Sequence, residues 1–269
     1  MLQFRYAAIS DTGQVRENNE DGGYASPYLL CVADGVGGAA AGEVASATAT
    51  YVLSARALAH PGHEPRRLLT HAVREAHQQV AAGVAADPRR EGMATTLTAA
   101  LTDGRTIALA QVGDSRAYLF RDGELSRLTH DQTLVQEMVD AGRISEEEAA
   151  ASPYRHVVLQ AIDADHEPVP EMLLLGLVPG DRLLLCSDGL TDVLADAALT
   201  VLLGLCDRDT AADRLVSAAL AAGSSDNVTV VVADVVDEPA VDGTGTLIGA
   251  ATDLANVVDP TAVRPLRSA

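Results

Sequence analysis

The sequence predicts an α+β protein, a strand-rich body carrying paired helices and a small helical excursion. Three observations predict it. Short apolar runs bounded by turn residues recur along most of the chain. Breaker-poor segments with helical periodicity come two at a time, over 41–58 and 65–85 and again near 193–205 and 209–222. Asp122-Gly123, a hairpin turn signal, separates Tyr118-Leu119-Phe120 from Leu125, so neighbouring strands run antiparallel there.

Taken in order, residues 3–9 read as a first strand, followed by a polar, turn-rich segment from Ser10 to Gly23. Tyr28 to Asp34 is continuously apolar up to its last residue, as expected of a strand covered on both faces. Leu68, Leu69, Ala72, Val73, Ala76 and Val80 recur at helical spacing within 65–85. Strands follow over Thr95 to Leu101, Thr106 to Val112 and Ala117 to Phe120. Leu134, Val135, Met138 and Val139 form a short apolar stripe ending at Gly142, and Ser145 with Glu148 has the spacing of a capping box. Leu173 to Leu175, Arg182 to Cys186 and Val228 to Val236 complete the strands. From 237 to 269 the composition shifts to Gly, Ala, Thr, Asp and Pro with weak periodicity, so a flexible tail or linker is expected there.

Composition narrows the function. The 269 residues carry 19 basic and 38 acidic side chains, a formal charge of −19, which makes nucleic acid a poor partner. No stretch approaches the roughly 18 apolar residues that cross a bilayer, and no basic-then-apolar leader opens the chain. All 19 basic residues are Arg; without Lys there is neither a P-loop nor a Schiff base. Cys31, Cys186 and Cys206 each lie in or beside an apolar run and read as buried inert thiols, consistent with a reducing cytoplasm. With no Trp and only 2 Phe, the core must be built from Val, Leu, Ile and Ala.

The chemistry lies at strand ends. The apolar runs before Asp34-Gly35, Gly113-Asp114 and Asp188-Gly189 each finish on an acidic turn, whereas Ser225-Asp226-Asn227 precedes a strand. If that last strand runs antiparallel to the others, all four carboxylates meet at one end of the sheets. Such a cluster repels itself unless cations fill it, and its hard oxygen donors suit Mg²⁺ or Mn²⁺. Gly35 lets the chain approach an ion closely. Two bridged ions could acidify a shared water for in-line displacement at phosphorus, with Arg16 as a bidentate phosphate clamp. One Asp-Gly after a strand is usually only a turn; four, with Arg16 to Asp21 upstream, are not readily a coincidence.

The segments Arg16 to Asp21, Asp34 to Ser46, Gly92 to Thr96, Gly113 to Arg116, Ser187 to Asp192 and Asp226-Asn227 occur in the order found in a known family. Over about 1–236 the chain resembles the type 2C metal-dependent serine/threonine protein phosphatases in their compact bacterial form. The resemblance implies a four-layer α-β-β-α sandwich of two antiparallel sheets flanked by helices, with a flap at about 130–156 beside the active site. It implies Mg²⁺ or Mn²⁺ as cofactor, with two core ions and room for a third. Asp34 would bridge the core pair beside the Gly35 carbonyl, Asp188 and Asp226 would ligate one ion, and Glu20 or Asp21 would hold waters or touch the other. Asp114 with Asp188 resembles a third-metal site, and Arg16 matches the phosphate-binding arginine.

Two positions depart from the family pattern. Val36 stands where many eukaryotic relatives have a His proposed as the leaving-group acid, so a water must supply that proton. His156 falls where some bacterial relatives have a small polar third-metal contact, so an imidazole could ligate or gate an ion there. The resemblance implies a monomeric cytoplasmic enzyme, or the cytosolic part of a longer membrane-anchored protein, acting on phosphorylated proteins and opposing serine/threonine kinases. The alternative is a pseudophosphatase that binds phosphoproteins, whose signature would be lost metal-site carboxylates. Aspartyl-phosphate chemistry is excluded by Val36 and Leu190 at the required second-Asp positions and by the absent Lys.

Overall fold

A computed structural model describes residues 1–36, 41–205, 207–241 and 244–261. The strands are β1 (Leu2–Asp11), β2 (Gly22–Ala25), β3 (Leu29–Ala33), β4 (Gly35–Val36), β5 (Ala94–Thr95), β6 (Leu97–Thr102), β7 (Ile107–Val112), β8 (Arg116–Arg121), β9 (Glu124–Arg127), β10 (Glu171–Leu175), β11 (Arg182–Cys186), β12 (Val228–Asp237) and β13 (Thr246–Gly249). The helices are α1 (Gly42–Ala59), α2 (Pro65–Ala86), α3 (Leu134–Asp140), α4 (Glu146–Ala150), α5 (Asp188–Thr191), α6 (Asp196–Leu205) and α7 (Arg208–Ala221). One antiparallel sheet has the order β1-β12-β11-β8-β9 and the other β10-β7-β6-β3-β2-β13, with β4 and β5 forming a separate short pair.

The continuous apolar runs follow from this layering. Along β3, Leu30 and Val32 face the opposing sheet, while Leu29, Cys31 and Ala33 face α1 and α2. On β11 and β12, Leu183, Leu185, Val231 and Ala233 fill the space between sheets, and Leu184, Cys186, Val230 and Val232 pack against α6 and α7. Alternate side chains thus enter different cores, so both sets must be apolar. The result is the expected four-layer sandwich, its core built from aliphatic residues with Phe4, Tyr24 and Tyr118 as buried rings. Cys31 and Cys186 are buried free thiols pushed up to about 12 by burial; Cys206 lies outside the described residues.

Asp122 and Gly123 both take positive φ, 53° and 85°, the requirement for the tight β8–β9 hairpin. Ser145 and Glu148 form the capping box that opens α4. Helices α3 and α4 pack on each other within the segment expected to be the flap, and the ends of that segment are joined by the Thr133–Val158 bridge and by Leu134 N–H donating to the Val157 carbonyl at 2.9 Å.

The chain beyond 236 departs from expectation. Residues 244–261 are part of the body rather than a flexible tail: β13 pairs with β2, and Ala250, Ala251 and Val257 are buried against Ala47 of α1. This edge strand can lie close because Gly23 has no side chain; a Cβ there would sit 2.8 Å from Ile248 Cγ1. Residues 262–269, the end of the expected tail, lie outside the described residues. Among the described residues no helix is long and apolar enough to cross a membrane.

Candidate metal and phosphate site

The strand directions bring the acidic turns together. Asp34 follows β3, Asp114 follows β7, Asp188 follows β11, and Asp226 precedes the antiparallel β12. All four line one cavity of about 470 Å³, together with Arg16, Glu20, Gly35 and His156. Asp21 is buried just beneath, accepting a hydrogen bond from Ser187 Oγ at 2.7 Å.

Polar side chains within the sequence segments lock these carboxylates in place. The Asp34 carbonyl accepts from Thr95 Oγ1 and from the Thr96 N–H, both at 2.9 Å, while the Asp34 N–H donates to Thr96 Oγ1 at 3.0 Å. Thr96 and Ser115 hydroxyls meet at 2.8 Å, joining the Asp34 and Asp114 turns. Asn227 accepts from the Glu20 N–H and donates to the carbonyls of Thr12 and Asn18, pinning the Arg16–Glu20 loop to the start of β12. At Gly35 the backbones nearly touch: a Cβ would lie 2.4 Å from the carbonyl oxygens of Glu20 and Gly42. These supports were not readable from spacing alone, because each depends on segments far apart in sequence.

The cluster is electrostatically incomplete. Burial, with further repulsion from Asp21, Asp188, Asp114 and Asp226, pushes Asp34 well above the usual carboxylate range. Burial and neighbouring carboxylates push both Asp21 and Asp114 up to about 7. Burial raises Glu20 too, with Glu43 adding to it. Asp188 goes the other way: burial would raise it, but the His156 imidazole and a proton carried by Asp34 outweigh that and hold it low. Without cations, then, folding must store protons on carboxyl groups that would ionise freely in water. Hard oxygen donors with excess negative charge fit Mg²⁺ or Mn²⁺.

Arg16 sits on the cavity rim, donating to Asp226 Oδ2 at 2.8 Å. Val36 is exposed on the same wall. His156 lies between two carboxylates, with Nδ1 at 3.6 Å from Asp188 and Nε2 at 3.7 Å from Asp192. Asp192 is a site residue that sequence reasoning missed. Its signal is the four-residue spacing from Asp188, which puts both on one helical face once α5 is known to form. Instead of the strand simply turning at Asp188-Gly189, the chain enters this short helix at Asp188.

The protein phosphatase 2C family model matches residues 20–220. The serine/threonine protein phosphatase PstP of Mycobacterium tuberculosis is 48% identical over 236 residues, covering 88% of this chain and 46% of that protein. The chain therefore spans about half the length of these curated relatives. The Listeria monocytogenes serine/threonine phosphatase stp is 32% identical over 84% of this chain and 93% of its own. Among solved structures, the catalytic domain of PstP in complex with two manganese ions superposes with a TM-score of 0.81 at 47% identity, covering 88% of this chain and all of that one.

Proposed function

The chain belongs to the protein phosphatase 2C family, and from that premise we propose that it hydrolyses phosphoserine and phosphothreonine on proteins with the help of Mg²⁺ or Mn²⁺. The observation that carries the proposal is the convergence of Asp34, Asp114, Asp188 and Asp226 on one cavity without enough cationic charge to match them. The manganese-bound relative supports the same reading.

In this reading Asp34, the Gly35 carbonyl, Asp188 and Asp226 would hold the core ions, and Glu20 or Asp21 would hold waters or contact the second. Asp114, beside Asp188, contributes to a third. When bound, such ions lower the pKa of water and neutralise charge building up on a phosphoryl group. Arg16 orients the phosphate: its guanidinium is held at the rim by Asp226, where a phosphate dianion would compete for the same N–H donors. Thr95, Thr96 and Ser115 keep Asp34 and Asp114 from relaxing apart. Val36 has no proton to give, so the leaving serine or threonine takes its proton from water. The groove continuing beneath the flap, lined by Arg116, Gln136, Glu146 and Arg155, would receive polypeptide flanking the phosphoresidue.

We further propose that its partners are serine/threonine kinases and their substrates, that it acts as a monomer in the cytoplasm, and that the catalytic unit includes the flap. Hydrolysis of a phosphothreonine peptide, measured with Mn²⁺, after chelation and after Mn²⁺ is restored, tests the function. Turnover should vanish and return. A folded chain that binds Mn²⁺ but never turns over would instead be a phosphoprotein-binding module.

A further inference from the structure

One stretch of this acidic chain is basic. In a chain of formal charge −19, residues 60–74 hold His60, His63, Arg66, Arg67, His71 and Arg74 against a single acid, Glu64. Glu64 is already committed: its carboxylate caps α2, accepting from the N–H groups of Arg66 at 2.9 Å and Arg67 at 3.0 Å. Arg66, Arg67, Thr70, His71 and Arg74 are all exposed, and their spacing of three or four residues puts them on one face of that helix. They line a surface hollow of about 460 Å³ with no carboxylate among its lining residues. Arg74 pairs with the exposed Glu167 at 2.6 Å, whereas Arg66 and Arg67 have no acid in ion-pair contact among the described residues. Like charges at helical spacing repel one another. The crowding reaches His60, which is held below the usual imidazole range by burial and then by repulsion from His63, Arg56 and His71.

We infer that this face of α2 is a docking site for a second phosphoryl group on the substrate polypeptide, outside the catalytic cavity. The inference rests on the phosphatase reading and deepens it by naming a substrate class, polypeptides phosphorylated at two separated positions. Neighbouring guanidinium groups present N–H donors in forks that match a phosphate. The Arg74–Glu167 pair is exposed on both sides, so exchanging it for a phosphate costs little. A few cations on so acidic a chain suit one compact dianion rather than a polyanion. The fold also sets the spacing. Helix α1 starts at Gly42, packed against Gly35 of the cavity wall. Arg56, which lines an adjoining hollow with Arg67 and His71, lies fourteen residues further along α1. That is roughly 21 Å at the helical rise per residue. An extended chain needs at least about six residues to cover it, and more to follow the surface.

Peptide hydrolysis by the Mn²⁺-loaded chain tests this. Each peptide carries one phosphothreonine and a non-hydrolysable phosphonate about two or about twelve residues away, on each side in turn. With the long spacer on at least one side, kcat/KM should exceed that of the singly phosphorylated peptide by at least about tenfold, through KM, as a tethered second contact requires. The short spacer should give no gain. Arg66→Glu combined with Arg67→Glu should abolish the gain and leave the singly phosphorylated peptide unaffected. No gain with the long spacer, an equal gain with both spacers, or a gain that survives the double substitution would each overturn the inference. An equal gain from glutamate in place of the phosphonate would overturn the phosphate assignment. Failure of the phosphatase reading shows separately, as no turnover of any peptide. The affinities of the same peptides for wild type and double variant, read by fluorescence anisotropy, then decide the docking site.

Discussion

Two sets of buried and half-buried aspartates in this molecule are treated in opposite ways. Away from the cavity, Asp131 pairs with Arg116, Asp181 with Arg121 and Asp234 with Arg182, each at 2.6 Å. At the cavity, Asp21, Asp34 and Asp114 have no arginine in ion-pair contact among the described residues, and their protons are held by burial and mutual repulsion. The chain has arginine enough to compensate charge where compensation is structural. Its absence at one end of the sandwich supports the proposal that those carboxylates are kept for a cation that comes from outside.

The largest expected effect separates the two sets by function. Asp34→Ala and Asp188→Ala should each lower kcat/KM for a phosphothreonine peptide by at least about a thousandfold, roughly 4 kcal/mol of transition-state stabilisation. Mn²⁺-dependent turnover retained in both variants would contradict the assignment. Next comes stability: Arg116→Met leaves Asp131 with only the longer Arg127 contact at 3.5 Å and should cost about 2 kcal/mol in urea denaturation, an effect indifferent to Mn²⁺. Arg16→Ala should raise KM for small phosphate esters by about tenfold, about 1.4 kcal/mol, with little loss of kcat; an unchanged KM would remove Arg16 from phosphate binding.

A smaller effect has a distinctive sign. Asp21 and Asp114 are pushed up to about 7, above the usual value near 4 for an unfolded aspartate. Their protonated forms therefore stabilise the metal-free fold below about pH 4, and that contribution is lost as pH rises through about 7. Asp181 behaves oppositely: burial would raise it, but hydrogen bonds from Arg121 and the Val178 N–H hold it low, so its contribution is present above pH 4 and lost on acidification. Chemical denaturation of the chelated chain across pH 4 to 8 should show stability falling with pH, and Asp114→Asn should flatten the fall. A profile unaltered by that substitution would mean the cluster is not strained.

Much of this was legible because the strands are buried on both faces. Unbroken apolar runs such as Leu29 to Ala33 and Leu183 to Cys186 end sharply at polar turns, so the acidic residues stand out in the sequence. What was not legible depends on distant pairing. Thr246 to Gly249 has too little periodicity to announce a strand and is ordered by lying on β2, where Gly23 makes room. Asp192 gained meaning only when α5 placed it one turn from Asp188, and Asn227 only when the Arg16–Glu20 loop closed over it.

The measurement bearing most directly on the cation assignment is the melting temperature of wild type and Asp34→Asn, each in chelator and in Mn²⁺. Removing an uncompensated buried acid should make Asp34→Asn more stable than wild type in chelator by about 1 kcal/mol, while Mn²⁺ raises the wild type and leaves the variant nearly unmoved. Equal melting in chelator with equal elevation by Mn²⁺ would contradict the account, because Asp34 would then neither carry strain nor hold the ion.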